Sequence, residues 1–247
     1  AQHVELNAPY FAEMVRQEMV RRYGEAATIS GFKVITTIVS KDQIAANAAV
    51  RDGLIEYDRR HGWRGAEKHI DLTQLDLSQQ ITELKNRPYI EEMPAALVLT
   101  TNNSSAELLL SNGEIIKIGS AAAISTGKSL SSAIKAGDIV RLLGTGKTTV
   151  LAQIPKAQAA LVSLQPEDGA VRAIVGGFSF STSKFNRASM AKRQPGSSFK
   201  PFLYTASFDR GYSPSSIVLD APVVFRDRKG NVWRPQNDRG GFKGPMK

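Results

Sequence analysis

From Ala95 to Ile154 the chain alternates short apolar runs with turn residues, a pattern that admits few architectures. Ala95–Thr100 is followed by Asn102-Asn103-Ser104. Leu108–Leu110 is followed by Asn112-Gly113, a dipeptide suited to the positive-φ positions of a tight hairpin. Ile115–Ile118, Ile139–Leu143 and Val150–Ile154 repeat the scheme, with Gly127 and the Ser-rich Ser125–Ser132 as interruptions. The pattern predicts a small all-β barrel or sandwich of about 60 residues.

The flanks have a different texture. Pro9 precedes Tyr10, Phe11, Met14, Val15 and Met19 at helical spacing, so a helix is expected over Ala8–Arg22. Gly31–Ser40 is rich in β-branched residues and predicts a strand. Asp42–Arg60 is Ala-rich and free of Pro; its acidic start and its basic end at Arg59 and Arg60 suit a helix dipole. Leu72–Glu92 is polar and ambiguous, and Pro88 and Pro94 mark a change of character. Ala159–Leu164, Pro166-Glu167-Asp168-Gly169 and Ala170–Val175 predict a hairpin, since Pro starts the turn, Asp bonds to nearby backbone and Gly accepts positive φ. Both arms are apolar enough to be central strands. A polar loop then leads to Gln194-Pro195-Gly196 and a helix through Asp209.

Composition removes several classes of function. The chain has no cysteine, which excludes disulfides, thiolate catalysis and zinc–sulfur sites. His3, His61 and His69 share no ligand spacing, so no metal is expected. No apolar stretch approaches the ~18–20 residues of a membrane span. The net charge of +9 is scattered, as in Met14–Tyr23, where Glu18, with Glu13 just before, interleaves with Arg16, Arg21 and Arg22. Solvated faces are expected, not a polyanion-binding stripe. Ala1–Tyr10 has no leader-like pattern and no initiator Met, which predicts the interior of a longer polypeptide.

The chemistry-bearing segment is Arg193-Gln194-Pro195-Gly196-Ser197-Ser198-Phe199-Lys200-Pro201-Phe202. On a helix, Ser197 and Lys200 share one face, with about 5–6 Å between Cβ atoms. A serine hydroxyl needs a base to become a nucleophile. A lysine amine serves only when neutral, which burial and a helix N-terminus both favour. The Ser197 backbone N–H, at the same helix start, points where an oxyanion would develop. By itself the Ser-x-x-Lys spacing is weak, because a chain of this length holds several chance matches.

The surrounding residues make it specific. Lys184-Phe185-Asn186-Arg187-Ala188 followed by Arg193 through Tyr204 resembles the first catalytic motif, and its approach loop, of the class A penicillin-binding proteins, in particular the 1A type. Ala160–Gly177 resembles the strand pair that opens their transpeptidase domain. Ala8 through Gly24 and Asp58-Arg59-Arg60-His61-Gly62-Trp63-Arg64-Gly65 are similar to family segments upstream, so the likeness covers nearly the whole chain.

The resemblance implies an α+β fold: the start of a penicillin-binding transpeptidase domain, like a serine β-lactamase, with an inserted all-β OB-like domain. The implied divisions are a linker over 1–30, a first strand and helix over 31–65, the OB-like domain over 66–156, and the truncated transpeptidase domain over 157–247. It implies Ser197 as nucleophile, Lys200 as its base, peptidoglycan stem peptides as substrate and β-lactam antibiotics as acylating ligands, without metal or cofactor. It also implies an upstream glycosyltransferase domain and membrane anchor, a site on the periplasmic face of the inner membrane, an outer-membrane lipoprotein activator and a cell-wall synthesis complex as partners, and no nucleic acid.

Two further family motifs, Ser-x-Asn and Lys-Thr-Gly, do not occur in these residues; Lys147-Thr148-Thr149 lacks the glycine. The chain alone is therefore expected not to turn over substrate. Two other readings stand beside the catalytic one: a non-catalytic linker and interaction module, and a β-lactamase-like hydrolase, against which the long N-terminal regions argue. Gly144-Thr145-Gly146-Lys147-Thr148 is not a P-loop, because Arg141 stands where the first glycine is required. The OB-like region has no Phe, Tyr or Trp between Ala95 and Ile154, so it lacks the stacking residues of an oligonucleotide binder.

Overall fold

In a computed structural model, which describes residues 5–90, 92–238 and 240–247, the alternating apolar runs form one antiparallel sheet of six strands. They are β1 (Lys68–His69), β2 (Ala95–Thr101), β3 (Ser105–Leu110), β4 (Ile115–Gly119), β5 (Asp138–Leu143) and β6 (Val150–Ala152), in the order β1-β5-β2-β3-β4 with β6 also on β5. β1 pairs with the first residues of β5 and β6 with the last, while β2 pairs from Ala95↔Arg141 to Leu97↔Ile139. A register shift between Val98 and Thr100 bends β2. Asn112 accepts from the Glu114 N–H and Gly113 has φ +86, closing the β3–β4 hairpin.

Both faces of this sheet are buried, which is why its strands read as continuous apolar runs. Ala96, Val98, Leu108, Val140 and Leu142 pack with Leu151, Ala122, Ala123 and Leu130 on one side. Ala95, Leu97, Leu109 and Ile139 pack with Ile70 and Leu84 on the other. The domain is thus not all-β: helix Leu77–Lys85 covers the second face, while a 3-10 turn over Ser120–Thr126 and a short helix over Leu130–Ala133 complete the first. The ambiguity of Leu72–Glu92 resolves into that helix. Asp76 and Gln79 form a reciprocal capping box, a D-x-x-Q signal readable in the sequence.

One glycine holds the sheet's entry. Gly137 has φ +88, its N–H donates to Val98 O, and its carbonyl accepts from Ile70 N. A Cβ there would stand 2.2 Å from the Ile70 carbonyl oxygen. Gly137→Ala is expected to cost about 2–3 kcal/mol, from the positive φ and the forced backbone shift together. A lowered midpoint in urea unfolding of the sheet checks this.

The rest of the first unit, which ends at Ala191, comprises α1 (Pro9–Tyr23), the one-turn α2 (Ala26–Ile29) and α3 (Ser40–Arg60); the helix under the sheet is α4 and Leu130–Ala133 is α5. It also holds the hairpin β7 (Leu161–Leu164) and β8 (Val171–Val175). α3 lays Ala46, Val50 and Leu54 on Ala173 and Val175. Among the described residues this hairpin is a two-stranded sheet, with Val162 46% and Leu164 53% exposed. The expectation of two central strands is therefore corrected for β7: among the described residues no strand but β8 pairs with it.

The strand expected over Gly31–Ser40 is absent. Residues 31–39 carry no regular secondary structure, are largely exposed, and touch β8 through Val39 N to Arg172 O and Thr37 Oγ1 to Val171 O. The next place on that edge of β8 is taken by a side chain. Gln43, 1% exposed, donates from Nε2 to Ile174 O at 3.0 Å and accepts from Ile174 N at 2.9 Å. Its carboxamide reproduces both bonds that a neighbouring strand residue would make. Residues 1–4, with His3, lie outside the described residues.

The second unit, Lys192–Lys247, has a 3-10 turn over Gly196–Phe199, helix α6 (Lys200–Asp209) and two small strand pairs. β9 (Val218–Asp220) pairs with β12 (Gly244–Met246), and β10 (Phe225–Arg226) with β11 (Val232–Trp233). None of its described residues is buried.

Candidate active site

Ser197 lies in the 3-10 turn and Lys200 opens α6. Gly196, at φ +54, reverses the chain after Pro195 and allows the turn to start. The turn then runs without a break into the α-helix, with Phe199 at φ −79, ψ −18 and Lys200 at φ −57, ψ −41. The Lys200 N–H donates to the Ser197 carbonyl. In 3-10 geometry residues i and i+3 eclipse, so the two side chains leave the backbone on one face. Pro201 sits in the first turn of α6, where a proline is tolerated. The Ser197 N–H makes no backbone hydrogen bond among the described residues, as befits a first-turn donor.

Local geometry separates this pair from other Ser-x-x-Lys spacings in the chain. Ser30 and Lys33 flank Gly31 at φ +66, and Ser125 and Lys128 flank Gly127 at φ +68, where helical rotation stops. Ser132 lies in the last turn of α5, which ends at Ala133, and Ile134 is already extended, so Lys135 leaves that face. Ser181–Lys184 and Ser189–Lys192 each leave a turn for irregular chain. Only Ser197 and Lys200, among these, are joined by continuous helical turns.

The surroundings of the pair are open. Both residues are exposed, and no hydrogen bond joins the Ser197 hydroxyl to the Lys200 amine among the described residues. Among the described residues of the second unit, none supplies the burial expected around Lys200. The neighbouring side chains are those of a core: Phe199, Phe202, Leu203, Tyr204 and Phe208 are 49–69% exposed. A helix that is apolar on most sides is built to be enclosed.

The remaining sequence features resolve simply. The Gly144–Thr148 segment connects β5 to β6 and closes on itself. Thr148 N donates to Thr145 O, Thr149 N to Gly146 O, and Thr148 Oγ1 to Thr145 O. A Cβ on Gly144 would stand 2.7 Å from Thr148 O, so that glycine serves the turn and these N–H groups are engaged at home. Among the described residues no cluster of His, Asp or Glu is placed to hold a metal, and no helix is long and apolar enough to cross a membrane. Two buried polar residues have structural weight through distant partners: Gln43 bonds to Ile174 and Asn186 to Met14.

Residues 63–157 match a family model described as the penicillin-binding protein OB-like domain. The chain is 44% identical over 262 residues to penicillin-binding protein 1A of Pseudomonas aeruginosa, covering 98% of this chain and 31% of that protein. It is 36% identical over 263 residues to penicillin-binding protein 1A of Escherichia coli, covering 100% and 31%. The crystal structure of penicillin-binding protein 1A from Haemophilus influenzae superposes with a TM-score of 0.81 at 40% identity, over 99% of this chain and 37% of that one. The chain thus spans about a third of the length of these relatives.

Proposed function

Because the chain belongs to the penicillin-binding protein 1A family, we propose that it carries the nucleophile-bearing part of a peptidoglycan D,D-transpeptidase. The observation that carries this reading is the unbroken turn over residues 197–200, which sets Ser197 and Lys200 on one face behind the positive-φ Gly196. Ser197 Oγ attacks the carbonyl carbon of the penultimate D-alanine of a stem peptide while the Lys200 amine takes its proton. The Ser197 N–H donates to the oxyanion. Collapse breaks the peptide bond, and terminal D-alanine leaves with a proton on its amine. The acyl ester passes to an amine of a neighbouring strand, and Ser197 recovers its proton. A β-lactam opens the same way, but its leaving amine stays tethered and the ester persists.

The parent polypeptide, on this reading, also polymerises glycan strands, is anchored at the inner membrane with these residues on its periplasmic face, and meets an outer-membrane lipoprotein activator within a cell-wall synthesis complex. It needs no metal or cofactor.

A second reading applies to the 247 residues alone. The exposure of Ser197 and Lys200, and of the apolar side chains of α6, favours a non-catalytic linker and interaction module when nothing encloses that helix.

One experiment separates these. A polypeptide of the relatives' length carrying this segment is treated with labelled penicillin and analysed by intact mass and peptide mapping. Stable label on the Ser197 peptide is expected, none in Ser197→Ala, and acylation slowed by roughly 10²–10⁴ in Lys200→Ala. The 247-residue chain is expected to gain no persistent adduct. Label retained by Ser197→Ala would refute the assignment, and hydrolysed drug without adduct would favour a β-lactamase.

A further inference from the structure

The loop between β8 and Lys192 is pinned against α1 from two sides. Tyr10, 4% exposed in the first turn of α1, donates from its hydroxyl to Ser183 O at 3.0 Å. Its ring meets Phe180 edge to face, with centroids 5.1 Å apart. Burial pushes the Tyr10 phenol up, and the nearby Arg187 guanidinium works against that. One turn on, Met14 Sδ accepts from Asn186 Nδ2 at 3.2 Å.

Asn186 is 4% exposed and organises the loop's second half. Its Oδ1 accepts from Ala188 N and its carbonyl from Met190 N. Arg187 N donates to Gly176 O, closing the loop onto the end of β8. The close approach requires glycine. A Cβ on Gly176 would stand 2.5 Å from Asn186 Oδ1 and 2.7 Å from Tyr10 Cδ1, and one on Gly177 would stand 2.7 Å from Tyr10 Oη. Neither glycine has positive φ, so the demand is for space alone.

We infer that α1 latches the loop 178–190, with Tyr10 and Asn186 as its two pins and Gly176-Gly177 as the gap that admits them. The order of this loop is set by a helix more than 160 residues earlier in sequence, as the Tyr10–Ser183 and Met14–Asn186 bonds span 173 and 172 positions. Covalent continuity makes the loop the lead-in to residues 193–204. The latch does not rest on Ser197 being the nucleophile.

Amide hydrogen exchange on the 247-residue chain tests the latch without using Ser197, so the two ideas fail separately. The readouts are the Arg187 and Met190 amides, with the β2 and β5 amides as internal control. Tyr10→Phe keeps the ring and deletes one hydrogen bond, so roughly fivefold faster exchange at Arg187 and Met190 is expected, with the sheet unmoved. Gly176→Ala, which pushes the same contact apart from the other side, is expected to release the same two amides, and the double variant to add little to the larger single effect. Unchanged exchange at Arg187 and Met190, or an equal rise in the sheet, would overturn the latch.

Discussion

Arg141→Ala is expected to destabilise the curled sheet by about 3–5 kcal/mol, the usual cost of removing one partner of a buried ion pair. Arg141 is 1% exposed in the middle of β5. Its Nε and Nη2 meet the two carboxylate oxygens of Glu67 at 2.7 and 3.2 Å, and Nη1 donates to Pro88 O and Met93 O at 2.9 and 3.0 Å. Truncation leaves a largely covered carboxylate and two carbonyls without their donor. Arg141→Met, which refills the volume but still strands Glu67, is expected to recover part of the loss. Arg141→Met with Glu67→Gln removes the orphaned charge and is expected to recover most of it, because well-packed neutral replacements of buried pairs approach neutrality. Trp63 packs on this core and donates to Ala133 O, so its fluorescence in urea reads the transition. An Arg141→Ala midpoint no lower than that of a surface variant such as Lys117→Ala would contradict the account.

The second large effect is expected at the junction of α3 with the sheet. Asp58, in the last turn of α3, is 4% exposed. It accepts from Arg64 Nη1 and Gln153 Nε2, each at 2.7 Å, and from Lys156 N at 3.4 Å. Arg64 also donates to Ile154 O, and Gln153 to Gly62 O. One carboxylate therefore ties together the chain's entry into the sheet domain and its exit. Asp58→Ala is expected to cost about 3 kcal/mol, at the lower end for a broken pair because the Arg64 side chain is 28% exposed and water relieves part of its charge. The qualitative outcome matters more. With this tie gone, the sheet and the α3–β7–β8 layer are expected to unfold in two calorimetric steps, where one is expected for this unit in the unaltered chain. Asp58→Asn, which keeps an acceptor for Gln153, is expected to fall between. A single unshifted transition in Asp58→Ala would show that apolar packing alone joins the two layers.

Much of this architecture was legible because its causes are local. Asn112-Gly113 and Pro166 to Gly169 announce their hairpins: Asp168 accepts from Ala170 N and Gly169 takes φ +74. Pro9 marks α1 correctly, and Asp42 with the basic pair Arg59 and Arg60 marks α3. The D-x-x-Q box of α4 was also present in the sequence, but the polar run around it masked a helix that contributes mainly Leu84 and Ile81 to the core. What failed was the strand at residues 31–39. Its β-branched composition was real, yet the edge it would have paired with had Gln43 on it, and a glutamine 131 positions from its partner has no sequence signature.

The same division runs through Ser197 and Lys200. The sequence by itself determined the pair, its lead-in glycine and the apolar helix behind it, since turn and helix formation depend on neighbours in the chain. Tertiary structure decided that only this serine–lysine spacing, of those compared, lies on uninterrupted helical turns. It also decided that both side chains stand in the open. A lysine acts as a base when low-dielectric surroundings disfavour its charge, and those surroundings are built by residues remote in sequence. Spacing can bring two groups onto one face; only packing can change what one does to the other.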